Sequence, residues 1–419
     1  MNILMKILIY FNSLLTLLNS ALGIQRLPGG YVLDAAKAEN AVTASAEKRI
    51  KDGALTGAHA MVMQNGKMLV NKTFGTYSVG GKALDDNAVY RIASMTKPIT
   101  ALALLIEHDR GHLNIYDDVA EYLPEFADMY LCIRGADGEP VKDENGVLVK
   151  GEKAVNQLKI YQLVSHVNGM PEVDVNAVGR DRCTCETAAE WLSQQPLLFE
   201  PGSAQQYSTG AFDVAARIIE LTSGMEFSEY LRVNIFDKLG MTDTTFEPTA
   251  EQFARMVAIH NFADGKVFDA QPVPGCVFGD FPATYHAAGA ALASTANDYM
   301  KFAQMLLSGG KAENGTVILS EETLKLMSVP IPDDTRTGQE KWGLGVRVIV
   351  KPGNNLPVGS FGWSGAYGSH FWVDPVDKTA AVYMKNSAFD GGAGNKSATE
   401  FEADIMNSFT MKRLDRLYC

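Results

Sequence analysis

The sequence predicts an α/β protein of the α+β type: an antiparallel sheet flanked by helices, plus a second, mostly helical lobe. Three observations carry this. Strand-like segments with tight turns stand at 58–70 and again at 342–385, and the stretch between them is patterned for helix. A chain of 419 residues is also long for one compact core, which favours two lobes. Residues 30–120 and 285–410 would then form a discontinuous α/β domain. Residues 121–284 would form the helical lobe, with an inserted hairpin near 131–158.

In chain order, residues 1–23 stand apart. Met1 to Lys6 carry one positive charge, Ile7 to Leu18 are mostly apolar with Asn12 and Ser13 interrupting, and Ala21-Leu22-Gly23 offers small residues to an export peptidase. This is the layout of a secretory signal peptide. It predicts a secreted or periplasmic protein with no stable membrane insertion after leader removal. An uncleaved membrane anchor and the N-terminal helix of a cytoplasmic protein are the alternatives.

Ala35–Lys51 is Ala-rich, free of Gly and Pro, and reads as a helix. Residues 58–70 read as two strands around an Asn65-Gly66 turn. Pro98–Asp109 is an apolar helix that stops at Gly111. Residues 131–158 are charged and Gly-rich, with a hairpin signal at Asn145-Gly146, and read as an exposed insertion. Helices are predicted at Thr187–Gln194, Gly210–Thr222 and Phe227–Lys238, followed by a Pro/Gly-containing loop at 263–283 and a helix over Ala287–Leu307. Strands are predicted at Trp342–Val350, His370–Val373 and Thr379–Lys385, with a turn at Asp374–Asp377. An amphipathic helix over Ser397–Leu417 closes the chain.

The net charge is −12, and no basic tract of five residues occurs. An acidic surface of this kind works against phosphate backbones, so nucleic acid is not an expected partner. The five cysteines, 132, 183, 185, 276 and 419, are odd in number and irregularly spaced, and they make neither a disulfide framework nor a zinc site. His108 and His112 share a helix end, yet no Glu completes a His-Glu-x-x-His motif and no third ligand is evident, so no metal is expected.

The strongest local signal is Ser94-Met95-Thr96-Lys97 ahead of Pro98 and the apolar helix. Residues three apart share a helix face, so Lys97 sits one turn above Ser94. A serine hydroxyl is a weak nucleophile until a base takes its proton. A lysine fills that role when burial or positive neighbours lower its pKa. Taken alone, Ser-x-x-Lys occurs by chance in many chains.

Tyr207-Ser208-Thr209 follows the Pro201-Gly202 turn and immediately precedes a helix, where a tyrosine could relay a proton. The third element is Gly362-Trp363-Ser364-Gly365-Ala366, read as small residues beside an edge strand, where a substrate carbonyl can approach backbone N–H groups. It nearly fits the Gly-x-Ser-x-Gly nucleophile elbow. Its last position is Ala366, however, and it precedes a strand where the elbow needs strand, turn and helix.

Taken in order, these three elements resemble the penicillin-recognising serine hydrolases. Leu163-Val164-Ser165-His166-Val167-Asn168-Gly169-Met170 is similar to that superfamily's Leu-Leu-x-His-x-Ser-Gly-Leu segment, with His166 in a structural hydrogen-bonding role. Glu200-Pro201-Gly202, Gly240–Phe246, Ala293–Tyr299 and Phe371–Pro375 are similar too, so the resemblance spans roughly residues 30 to 405. It implies a β-lactamase/DD-peptidase-like fold. The chain departs from class C β-lactamases at two points: Thr209 stands for the Asn of Tyr-x-Asn, and Trp363-Ser364-Gly365 stands for Lys-Thr-Gly. A cation there would hold a substrate carboxylate, whereas an indole offers an apolar wall. Trp-x-Gly at this point resembles the family VIII carboxylesterases.

The resemblance implies that Ser94 becomes acylated while Lys97 and Tyr207 share its proton, pass it to the leaving alcohol and then activate water. The N–H groups of Ser94 and Ala366 would form the oxyanion hole, at about 3–4 kcal/mol per donor. Trp363, Ser364, Gly365 and Thr209 would line the substrate site, with no cofactor required. The expected activity is a serine carboxylesterase acting on small short-chain or aromatic-alcohol esters. The alternatives are a β-lactamase, D-alanyl carboxypeptidase or acyltransferase of the same superfamily, and more distantly a non-catalytic penicillin-binding-like protein.

Overall fold

The structure, a computed structural model, describes residues 31–179, 183–264, 266–270, 285–392 and 395–411. The expected leader, Cys276, Cys419 and most of the expected 263–283 loop lie outside these residues.

The described chain opens with β1 (Tyr31–Leu33) and α1 (Ala35–Lys51), whose first turn is capped by the Asp34 carboxylate accepting from the Lys37 N–H. β2 (Gly57–Gln64) and β3 (Lys67–Gly75) are joined through Asn65 and Gly66, both at the positive φ that a two-residue hairpin demands. β4 (Val89–Arg91) leads through a 3₁₀ turn, Ala93–Met95, into α2 (Thr96–Asp109), which is buried over most of its length. The inserted segment pairs β5 (Tyr130–Cys132) with β6 (Lys150–Lys153). α3 (Cys185–Ser193) and α4 (Ala211–Ser223) pack together, with α4 against α2. Short helical turns run from Phe227 to Leu239, and β7 (Ile259–Ala263) pairs with β8 (Lys266–Ala270).

The last third supplies β9 (Ala293–Thr295), α5 (Ala296–Leu307), β10 (Glu340–Trp342), β11 (Arg347–Ile349) and β12 (Phe361–Ser364). β13 (His370–Asp374), β14 (Thr379–Met384), α6 (Lys396–Met406) and β15 (Phe409–Met411) follow.

The central sheet is antiparallel and seven-stranded, in the order β10-β11-β12-β13-β14-β2-β3. The β14–β2 pairing, with Tyr383 opposite Ala60, joins the two ends of the chain. Side chains alternate across the pleat. On one face Phe371 meets Tyr299 of α5 edge-on, with ring centroids 4.9 Å apart. On the other face Trp372 is buried in the cluster formed with α1 and α6, where Tyr383 stacks on Phe401 at 5.0 Å. Each large aromatic side chain fully buried this way contributes about 1.5–3 kcal/mol of burial free energy.

Several expectations are corrected. Residues 287–292 are not helical; α5 begins only at Ala296, because Thr295 caps it and 293–295 pair with β4. The Ala-rich run is drawn instead into contacts with α2 and α4. The start of the 263–283 loop is the β7–β8 hairpin. Trp342–Val350 is a hairpin rather than one strand, because Gly345 at φ 70° turns the chain between β10 and β11. The closing helix stops at Met406, after which β15 pairs with β1. The Gly362–Ala366 box is not beside an edge: β12 lies inside the sheet, since β10 and β11 extend it further. Among the described residues, no helix is long and apolar enough to cross a membrane.

Candidate active site

β4 ends against the 3₁₀ turn that carries Ser94, and that turn is strained. Ala93 sits at φ 45°, a left-handed conformation that costs a non-glycine residue on the order of 1–3 kcal/mol and persists only where packing enforces it. The enforcing contacts are visible. Tyr299 Oη donates to Met95 O at 2.7 Å, and the Leu292 N–H donates to Thr96 Oγ1 at 3.2 Å. Lys97, in the first turn of α2, is fully buried. Its Nζ lies 3.4 Å from Ser94 Oγ, 3.3 Å from Thr209 Oγ1 and 2.8 Å from Gly289 O. Gly289 is required at that point, because a methyl group there would stand 2.8 Å from Thr209 Cγ2 and 3.3 Å from Lys97 Nζ.

Tyr207 completes the triangle, with Oη donating to Ser94 Oγ at 2.7 Å. The loop carrying it is held by His166. The Gln206 N–H donates to His166 O at 2.9 Å, the Ser208 N–H donates to His166 Nδ1 at 3.1 Å, and the two rings stack at 4.4 Å. Burial, together with the positive charges of Lys97 and Arg336, pushes the His166 imidazolium well below its usual range, so the ring is neutral and Nδ1 is free to accept. Glu172 fixes the far side, accepting from the Thr209 and Gly210 N–H groups at 2.8 and 3.1 Å.

On β12, Trp363 faces this triangle. Its Nε1 donates to Tyr207 Oη at 3.4 Å, and Trp342 of β10 stands edge-on to it with centroids 4.5 Å apart. Ala366 follows the strand and is exposed. Among the described residues, neither the Ser94 nor the Ala366 N–H has a hydrogen-bond partner. The Gly365 N–H is taken by Ser369 O at 2.7 Å. Ser364 is a correction: pleat alternation turns its side chain to the opposite face, where Oγ meets His370 Nδ1 at 2.8 Å. It is therefore not placed to touch a substrate bound at Ser94.

Ser94, Lys97, Thr209, Tyr207 and Trp363 thus meet in space, although up to 269 positions separate them. Sequence reasoning missed Gly289, Trp342, Glu172 and Asp213. Asp213, buried on α4, accepts from the Ala288 N–H at 2.8 Å and so holds the segment that offers Gly289 O to Lys97. Desolvation pushes its carboxyl up to about 7. None of the four lies in a local motif that would have marked it. Among the described residues, no three or more His, Cys, Asp or Glu side chains are arranged to hold a metal ion, and Cys132, Cys183 and Cys185 are free and buried.

Comparison with known proteins shows which proteins the chain as a whole is similar to. Esterase EstB of Burkholderia gladioli is 27% identical over 409 residues, covering 88% of this chain and 95% of that one. EstCE1, described as a hydrolase with promiscuous acyltransferase activity, superposes with a TM-score of 0.72 at 21% identity, covering 89% of this chain and 99% of that one. Simvastatin synthase LovD of Aspergillus terreus superposes at 0.70 with 20% identity, covering 88% and 98%. Both structural likenesses establish the β-lactamase/penicillin-binding-protein fold. The Beta-lactamase family profile matches residues 40–403, and the chain accordingly belongs to the Beta-lactamase family, the penicillin-recognising serine hydrolases.

Proposed function

We propose that the protein is a serine carboxylesterase that hydrolyses short-chain or aromatic-alcohol esters through an acyl-enzyme on Ser94. The observation that carries the reading is the contact of Tyr207 Oη with Ser94 Oγ at 2.7 Å, over a buried Lys97, under an indole rather than a cation. Ser94 Oγ attacks the ester carbonyl while the Lys97–Tyr207 pair, acting in the form in which one of its two groups has given up its proton, takes the Ser94 proton. The developing oxyanion lies against the unpartnered N–H groups of Ser94 and Ala366. The pair then protonates the leaving alcohol and takes a proton from water as that water adds to the acyl-enzyme carbonyl. The bond to Ser94 Oγ breaks, the acid leaves, and the pair returns the proton to Ser94 Oγ. Trp363, backed by the buried Trp342, gives the alcohol or acyl group an apolar wall. A β-lactam or peptide carboxylate finds no lysine in the third box, and esterase EstB as a relative agrees with that preference.

The test is hydrolysis of p-nitrophenyl acetate through decanoate, with nitrocefin alongside, by wild type and Ser94→Ala. Ester turnover that disappears in the variant, with little nitrocefin cleavage, is the expected outcome. Strong nitrocefin cleavage would move the assignment to β-lactamase, and turnover surviving in Ser94→Ala would remove Ser94 as nucleophile.

A further inference from the structure

The turn Gly365–Gly368, which presents the Ala366 N–H, is fastened from behind by the loop 386–392. The Gly392 N–H donates to Gly365 O at 2.9 Å, and the Ser387 N–H donates to Tyr367 O at 2.7 Å. The fit is tight: a methyl group at Gly391 would fall 1.7 Å from Ala366 O. Beneath the turn, Lys385 is fully buried at the end of β14. Its Nζ donates to Asp390 O at 2.6 Å and to Asp390 Oδ2 at 2.7 Å. Gly368 rests directly on it, since a methyl group there would lie 2.2 Å from Lys385 Cε. Asp390 in turn accepts from the Lys396 N–H and from Ser397 Oγ, which ties the loop to the start of α6. A buried lysine and carboxylate offset their desolvation only where the geometry is good and further hydrogen bonds complete the pair. Here both groups act on the same turn.

We propose that the Lys385–Asp390 pair is a clamp that positions the Ala366 N–H for the oxyanion, making both residues positioning residues for acyl transfer at Ser94. The proposal rests on the serine-hydrolase reading above. Burial pushes the Lys385 ammonium down to about 8, and Asp390 offsets part of that. Burial also opposes the Asp390 carboxylate, but Lys385 and the Ser397 and Lys396 hydrogen bonds outweigh it and hold it at about 2. The pair is therefore predominantly ionised at neutral pH. Arg49, 3.9 Å from Asp390 Oδ2, and His260, which Lys385 acts on electrostatically, also face the pair.

The experiment compares wild type with Asp390→Asn, which keeps the shape and removes the charge, and with Gly391→Ala, which presses on the Ala366 peptide and retains both side chains of the buried pair. Ester kinetics, inhibition by a trifluoromethyl ketone, and the rate at which a fluorophosphonate labels Ser94 are each measured. A displaced oxyanion donor lowers kcat by about tenfold or more with KM nearly unchanged. The ketone's inhibition constant should rise by the same factor, and labelling should slow in parallel. A packing defect alone would lower the melting temperature without that matched shift. Two folded variants with wild-type kcat, ketone affinity and labelling rate would overturn the clamp. Labelling that persists in Ser94→Ala would instead overturn the underlying assignment of Ser94. The labelling rate tests the clamp whichever ester the enzyme prefers.

Discussion

On one side of β12, Trp363 looks toward Ser94, whose Oγ lies 2.7 Å from Tyr207 Oη and 3.4 Å from Lys97 Nζ. On the other side, Ser364 Oγ lies 2.8 Å from His370 Nδ1, and His370 Nε2 lies 3.0 Å from a Glu402 oxygen that Arg347 also holds, at 2.6 Å. Judged by residue type, the second constellation is the more familiar one, a serine, a histidine and a carboxylate in sequence. It is sealed between the sheet and α6, with Ser364 only 4% exposed. Burial opposes ionisation of Glu402, but His370 and Arg347 outweigh it and hold the carboxyl at about 2, a fully satisfied structural network. The Ser94 group has what that network lacks: a strained turn, a partly exposed hydroxyl and two N–H groups with no partner among the described residues. The right residues do not make a nucleophile unless a carbonyl can reach them and find donors waiting.

The largest effects should follow from breaking the exposed group. Tyr207→Phe keeps the ring against His166 and removes the hydroxyl that touches both Ser94 and Trp363. Its kcat/KM is expected to fall by about 10²–10⁴ while the melting temperature hardly moves. Lys97→Ala should fall comparably, and the double variant little further, because residues that act as one unit lose their function together. Steady-state kinetics on a p-nitrophenyl ester decides it. A Tyr207→Phe enzyme within tenfold of wild type would mean that the short contact is structural, and the contrast between the two faces would lose its force.

The sequence displayed one of these faces better than the other. Ser94 and Lys97 were legible because three positions on a helix are always neighbours, whatever the rest of the fold does. Tyr207 and Trp363 were legible only in company, through the order of the three motifs. Gly289, Asp213 and Trp342 were not, since each acquires its role from partners brought in by tertiary packing, as when Gly289 meets Lys97 across 192 positions. The positive φ at Ala93 was equally hidden, since alanine rarely adopts it and nothing in its neighbours announces it. Ser364 was misplaced for a simpler reason. Its box was read as small residues beside an edge strand rather than as part of a strand, and on a strand Trp363 and Ser364 must point to opposite faces.

Asp213 sharpens the comparison from below the exposed group. Its carboxyl stands at about 7 when folded, against an ordinary value of 3.8. Between those values the folded protein binds the extra proton, so stability falls as pH rises from about 4 to 7 and levels off above. Asp213→Asn retains an acceptor for the Ala288 N–H and removes the ionisation. Its melting temperature relative to wild type should therefore increase from pH 5 to pH 8, with turnover reduced only several-fold. A gap that does not change with pH would show that the Asp213 carboxyl does not carry its raised value in the folded protein.

Ser364→Ala should have the smallest effect on turnover and is the sharpest test of the contrast. It removes a buried hydroxyl from His370 Nδ1 and leaves that nitrogen without its partner in a site closed to water. The expected cost is about 1–3 kcal/mol of stability, read as a lower denaturation midpoint with an unchanged slope. The Trp363 side chain leaves the opposite face of the same strand, and the ladder to β11 and β13 fixes its direction independently of the serine hydroxyl. The kcat/KM should therefore stay near that of wild type wherever the variant is folded. Loss of turnover in a stable Ser364→Ala enzyme would show that the buried network communicates with the site through the strand. The two faces of β12 would then be one functional unit, with the hydroxyl of Ser364 acting on Trp363 through the backbone they share.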